Sequence, residues 1–167
     1  MRTPLLLGAA LAVALVTPAT AAHDDGKRAK VYRAHLEANE AATVAGVPDA
    51  RGRAHLKDGR KRDKVSLRMK GLEAGETYLW HVHQATAAGD PCAAGSTVGN
   101  PAPYPGFTYR ELTARPSGNA RSKGKSTTFP VAEDDTGQDY YVNVHLQDGT
   151  VIACGVLERK AKRKDSD

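Results

Sequence analysis

Apolar and polar residues alternate along most of this 167-residue chain. Successive side chains of a strand point to opposite faces, so a period of two marks strands with one face in a core. The pattern runs through "VYRAHLEA" (31–38), "RAHLKD" (53–58), "KVSLRMKGL" (64–72) and "TYLWHVHQ" (77–84). "GVPDARG", "GRKRD" and "EAGE" break it with turn-forming residues. "FTYRELTA" (107–114) reads as a strand or a short turn, and "GNARSKGKSTTFPV" (118–131) as a strand region after a Gly-Asn turn. The clearest hairpin is "YYVNVHL" and "TVIACGVL" flanking Gln147-Asp148-Gly149. No stretch keeps a 3.6-residue apolar period long enough for a helix, and no internal repeat is visible. About seven or eight short strands with turns between them predict an all-β, antiparallel sandwich or barrel.

The ends fall outside this pattern. "MRTPLLLGAALAVALVTPATA" has one basic residue, Arg2, an apolar run from Leu5 to Val16, and Ala19 and Ala21 in an A-x-A arrangement. That is the pattern of a secretory signal peptide over 1–21, cleaved after Ala21 or Ala22. No second long apolar run follows, so the expected mature chain is secreted, extracellular and without a transmembrane segment. Residues 22–30 read as a flexible lead-in, 31–157 as the β domain, and 158–167 as a basic tail containing "ERKAKRK". The whole chain has 24 basic and 19 acidic residues. Removing Arg2 with the signal leaves 23 against 19, or +4, a mild excess. The tail could meet an anionic surface, although a solvated terminus is its ordinary fate.

Candidate chemistry centres on histidine. His81 and His83 are two apart in one strand, so both rings leave the same face about 7 Å apart at the backbone, while Val82 turns inward. His145, in the first arm of the hairpin, can supply a third nitrogen if that strand lies nearby. Three imidazoles suit copper, and carboxylates are too scarce here for calcium. His35 and His55, in two copies of "RAHL", read as surface residues. His23 would chelate copper through its amine only if cleavage fell after Ala22. Cys92 and Cys154 are the two cysteines. In an exported chain they point to one disulfide, with metal ligation or intermolecular pairing as alternatives. "GKST" (124–127) ends like a phosphate-binding loop, but Asn119 stands where its first glycine belongs and no helix follows, so nucleotide binding is not expected. Nucleic acid is not expected either, because few aromatics are present to stack bases.

Two families resemble this pattern. "GLEAGETYLWHVHQ...GDPCAAG" and "VIACGVL" resemble stretches of copper/zinc superoxide dismutases. The resemblance covers about 50–157 and is strongest at 71–101 and 140–157. It implies an immunoglobulin-like Greek-key sandwich, a disulfide between Cys92 and Cys154, and copper ligands at His81, His83 and His145. It also implies losses. Val98 in "STVGNP" stands at the position of the metal-bridging histidine. No histidine lies between His83 and His145, so the family's zinc site is not expected. "LQDGTVIA" leaves no room for the electrostatic loop, and Val151 replaces the anion-guiding arginine. The chain also resembles chordin-type repeat (CHRD) domains at 37–56 and 140–145, departing from them at Ala153-Cys154-Gly155. The resulting expectation is a secreted, dismutase-like protein with one zinc-less copper site and weak action on superoxide. The alternative is a metal-free extracellular module that binds a partner. No catalytic residue beyond the metal ligands is indicated, and the pattern says nothing of oligomeric state.

Overall fold

Strand β1 (Lys30–Ala38) buries Tyr32, Ala34 and Leu36 and exposes Arg33, His35 and Glu37. Strands β2 (Arg51–Asp58), β3 (Asp63–Lys70) and β6 (Ala120–Ser126) repeat the alternation. These four pair antiparallel in the order β1-β2-β3-β6. The other half contains β4 (Thr77–Gln84), β5 (Arg110–Thr113), β7 (Tyr140–His145) and β8 (Val151–Val156) in the order β5-β4-β7-β8. The two-residue strand β9 (Glu158–Arg159) pairs with β1. The computed structural model describes residues 30–59, 62–87, 89–94, 99, 110–126 and 140–159. The expected signal peptide, residues 22–29, His23 among them, and the tail from Lys160 onward lie outside the described residues, as does most of the 85–106 loop.

Strand β1 joins the halves. It pairs with β2 along most of its length and with β8 through Glu37 and Ala38. Gly155 permits that crossing, because a Cβ there would run into the carbonyl of His35. At the opposite seam Arg110 Nη2 donates to the Lys125 carbonyl at 3.3 Å, bringing β5 against β6 and nearly closing the sheet into a barrel. Strands β4, β5 and β6 follow one another across that seam, and β3 lies beside β6, the neighbour relation of a Greek key. The expected all-β antiparallel class holds.

The interior is filled from every strand of the barrel wall. Leu36, Leu56, Leu67, Trp80, Val82, Leu112, Val142, Val144 and Ile152 are each at most 1% exposed. Burying side chains of this size stabilises the fold by about 1.5–3 kcal/mol each relative to leaving them in water. One five-residue helix, α1 (Glu40–Val44), was not expected. Asn39 starts it by accepting from the Ala42 amide at 3.2 Å, and donates to the Val151 carbonyl at 2.8 Å. No helix among the described residues is long and apolar enough to cross a membrane.

Strands β4 and β7 break the one-face rule. Tyr78, Trp80 and Val82 point to the core, yet His81 and His83 on the other face are also buried. All six residues of β7 are buried. The sheet is therefore covered on its outer face here, and the covered residues are polar.

Candidate metal centre

The register of β4 and β7 sets the site. His81 pairs with Asn143, His83 with Tyr141 and Leu79 with His145, so the three histidines leave one face of two adjacent strands. Beside them β8 carries a bulge: Val144 faces Ala153 and His145 faces Val151, leaving Ile152 as the extra residue. The hairpin closes through a three-residue loop. Gly149 N donates to Leu146 O at 3.1 Å and Leu146 N to Thr150 O at 2.9 Å, with Gly149 at φ 90°. That is a type I turn ending in a left-handed residue, where glycine carries no steric cost.

The turn holds His145 directly. A carbonyl can only accept, so the Nδ1–H of His145 donates to Gly149 O, at 2.9 Å. Its Nε2 therefore presents a lone pair. That lone pair lies 2.6 Å from His81 Nε2, and His81 Nε2 lies 2.7 Å from His83 Nε2. His81 is the middle member. Its ring centroid is 4.1 Å from that of His83 and 4.5 Å from that of His145, while those two are 6.3 Å apart. One nitrogen from each residue falls within a common span of 4.8 Å. The His83 ring is held from the side by Tyr141, stacked at 4.8 Å with an interplanar angle of 10°.

Protonation favours ligation. Burial, then the neighbouring charges of His83 and His145, pushes His81 down to about 3. Burial also lowers His145, partly offset by the Gly149 carbonyl. The neutral imidazole is the form that binds metal. With His81 and His145 neutral, His81 Nε2 meets the lone pair of His145 Nε2. If His81 carries the Nε2 proton, His145 and His83 share it. If it does not, its lone pair faces that of His145 at 2.6 Å. Three ring nitrogens so placed could hold a metal ion.

The structure thus brings together all three predicted ligands, His81, His83 and His145, at 1%, 2% and 6% exposure. His35 and His55 stay apart on the exposed outer face of β1 and β2, as expected. Cys92 and Cys154 form the disulfide, with Cα atoms 5.5 Å apart. It lands on the same face as the site, because Cys154 pairs with Asn143, which pairs with His81. Val151, opposite His145, puts an apolar, half-buried side chain at the position the resemblance gave to a guiding cation. Val98 lies outside the described residues. Lys125 and Ser126 of "GKST" run within β6, which leaves no phosphate-binding loop.

Three participants were not anticipated: Tyr141, Asn143 and Gly149. Tyr141 and Asn143 were legible in principle, since both differ from His145 by an even number and so share its face. The buried Asn143 Oδ1 has no hydrogen-bond partner among the described residues. No carboxylate joins the cluster among the described residues. No protein-family model matches the chain, and no curated protein is similar to it.

Proposed function

We propose that this chain is an exported, superoxide-dismutase-like copper-binding protein whose single ion is held by His81, His83 and His145, without zinc. The observation that carries the reading is the gathering of three buried imidazoles, each with one nitrogen inside a common 4.8 Å span, with His145 oriented so that a lone pair faces His81. An all-nitrogen set without carboxylate suits copper or zinc. Copper is preferred over zinc because the dismutase resemblance of His81, His83 and His145 implies it; the contacts of 2.6 and 2.7 Å about a central His81 are hydrogen-bond distances, shorter than adjacent ligand corners on either metal. The orphaned Asn143 oxygen sits on the same face, directly opposite His81, an acceptor beside an otherwise all-nitrogen site.

Copper would supply one-electron cycling, the chemistry that superoxide dismutation requires. The protein's own residues orient and shield. Gly149 fixes the His145 tautomer, Tyr141 fixes the His83 ring, and burial excludes bulk water. Val151 pairs with His145 where the dismutase resemblance implies an anion-guiding arginine, so steering of an anion, which raises encounter rates about 10-fold or more, is weak here. The reading therefore assigns copper binding as the main property and slow dismutation as a secondary one. Electron paramagnetic resonance of the Cu(II)-loaded protein tests it. A tetragonal signal with coupling to three nitrogens is expected. A signal identical to that of the His81→Ala/His83→Ala variant would favour a metal-free module instead.

A further inference from the structure

The outer face of β2, β3 and β6 carries a different chemistry. Pairing puts His35, Arg53, Arg68 and Arg121 in one straight row across four strands. Four residues along, Lys57, Lys64 and Lys125 form a second row. All seven side chains are exposed. Neighbouring strands lie about 4.8 Å apart, and the two rows about 13 Å apart. Like charges directly opposite one another destabilise a sheet, and no acidic residue sits in either row. The acidic ends of these strands, Asp58 and Asp63, fall at the β2–β3 turn, with Asp63 buried. β2 and β3 are paired on both sides, so these are not charges guarding a sheet edge.

The arginine row lies in a groove of about 900 Å³. It is lined by Arg51, Arg53, Arg68, Lys70, Arg115 and Arg121 against two carboxylates, Glu37 and Asp49. Guanidinium forks bind oxyanions through paired N–H donors. We infer that this groove and the lysine row beyond it bind a linear sulfated polysaccharide laid across the strands. Chain-like shape follows from the row itself, which runs straight across four strands for about 14 Å. The only large hydrophobic side chain exposed among the described residues, Val44, lies on α1 and offers this face no apolar anchor for a membrane. The outward positions of β2, β3 and β6 hold no Phe, Tyr or Trp, so nucleic-acid bases find no stacking platform. The inference is independent of the metal site, which occupies the other half of the barrel.

The test is elution from immobilised heparin along a salt gradient, with a Kd for a heparin oligosaccharide, on the full chain. Arg53→Ser/Arg68→Ser/Arg121→Ser removes three exposed charges that repel one another, so the thermal midpoint should hold or rise. Affinity should fall at least tenfold, with a shallower dependence on salt. Lys160→Ser/Lys162→Ser/Arg163→Ser removes the same charge from the tail and should weaken binding less than threefold. The inference is overturned if the tail variant loses binding and the sheet variant keeps it. It is equally overturned if vesicles with 30% anionic lipid, or single-stranded DNA, bind as tightly as heparin and depend on the same arginines.

Discussion

His145 Nδ1–H and the carbonyl of Gly149 meet at 2.9 Å across the tight turn of the β7–β8 hairpin. A backbone turn thereby sets the tautomer of a ring in the candidate metal centre. Gly149 is at φ 90°, where other residues are strained. Gly149→Ala should cost about 1–2 kcal/mol of stability and, by tilting the carbonyl, weaken copper binding about 10-fold or more. Thermal unfolding and metal titration on the same sample check both. Unchanged affinity in a destabilised variant would separate the turn from the site.

The stack of Tyr141 on His83 makes a parallel claim. Tyr141→Phe keeps the stacked ring and should bind copper within about threefold of the native chain. Tyr141→Leu frees the His83 ring and should lose about tenfold or more, the usual cost of removing a ligand's support. Competition against a chelator of known affinity reads the difference.

Acid should destabilise the metal-free protein early. His81 is held down to about 3, and His145 is lowered from its ordinary 6.5. Between those limits the unfolded chain binds more protons than the folded one, so stability falls as pH drops from about 6.5. Asp148, whose carboxylate is favoured by the Thr150 amide, contributes stability that is kept above its ordinary 3.8 and lost only below it. Urea midpoints between pH 4 and 7 thus report the histidines. A steady decline is expected, flattened in His81→Gln. A flat native profile would mean the rings are hydrated.

The Cys92–Cys154 bond closes a separation of 62 residues. In the chain-entropy model that is worth about 4 kcal/mol. Cys92→Ser/Cys154→Ser should lower stability by that order. It should also speed copper release to a chelator, since Cys154 is separated from His81 only by Asn143. Loss of stability with unchanged release would confine the disulfide to a structural role.

Much of this was readable from residues alone, and the limits have physical causes. "TYLWHVHQ" matches β4 end for end because Tyr78, Trp80 and Val82 keep a period of two and "EAGE" turns the chain before it. The histidine set was legible because His81 and His83 share a strand face and His145 sits in an unambiguous hairpin. Helix α1 was not, since five residues are too few to display a 3.6-residue period. The cationic rows were half visible. "RGRAHLKD", "DKVSLRMK" and "ARSKGKS" each alternate with basic residues. Their alignment depends on the register of β3 against β6, whose sequences lie some fifty residues apart. Asn143 and Tyr141 read as ordinary strand residues until pairing set them opposite His81 and His83.

Calorimetric titration of Cu(II) into the purified metal-free protein tests the central claim most directly, beside the His81→Ala/His83→Ala variant shown to be folded by circular dichroism. The account predicts one tight site per chain in the native protein and none in the variant. Equal binding by both, or no binding by either, would contradict it.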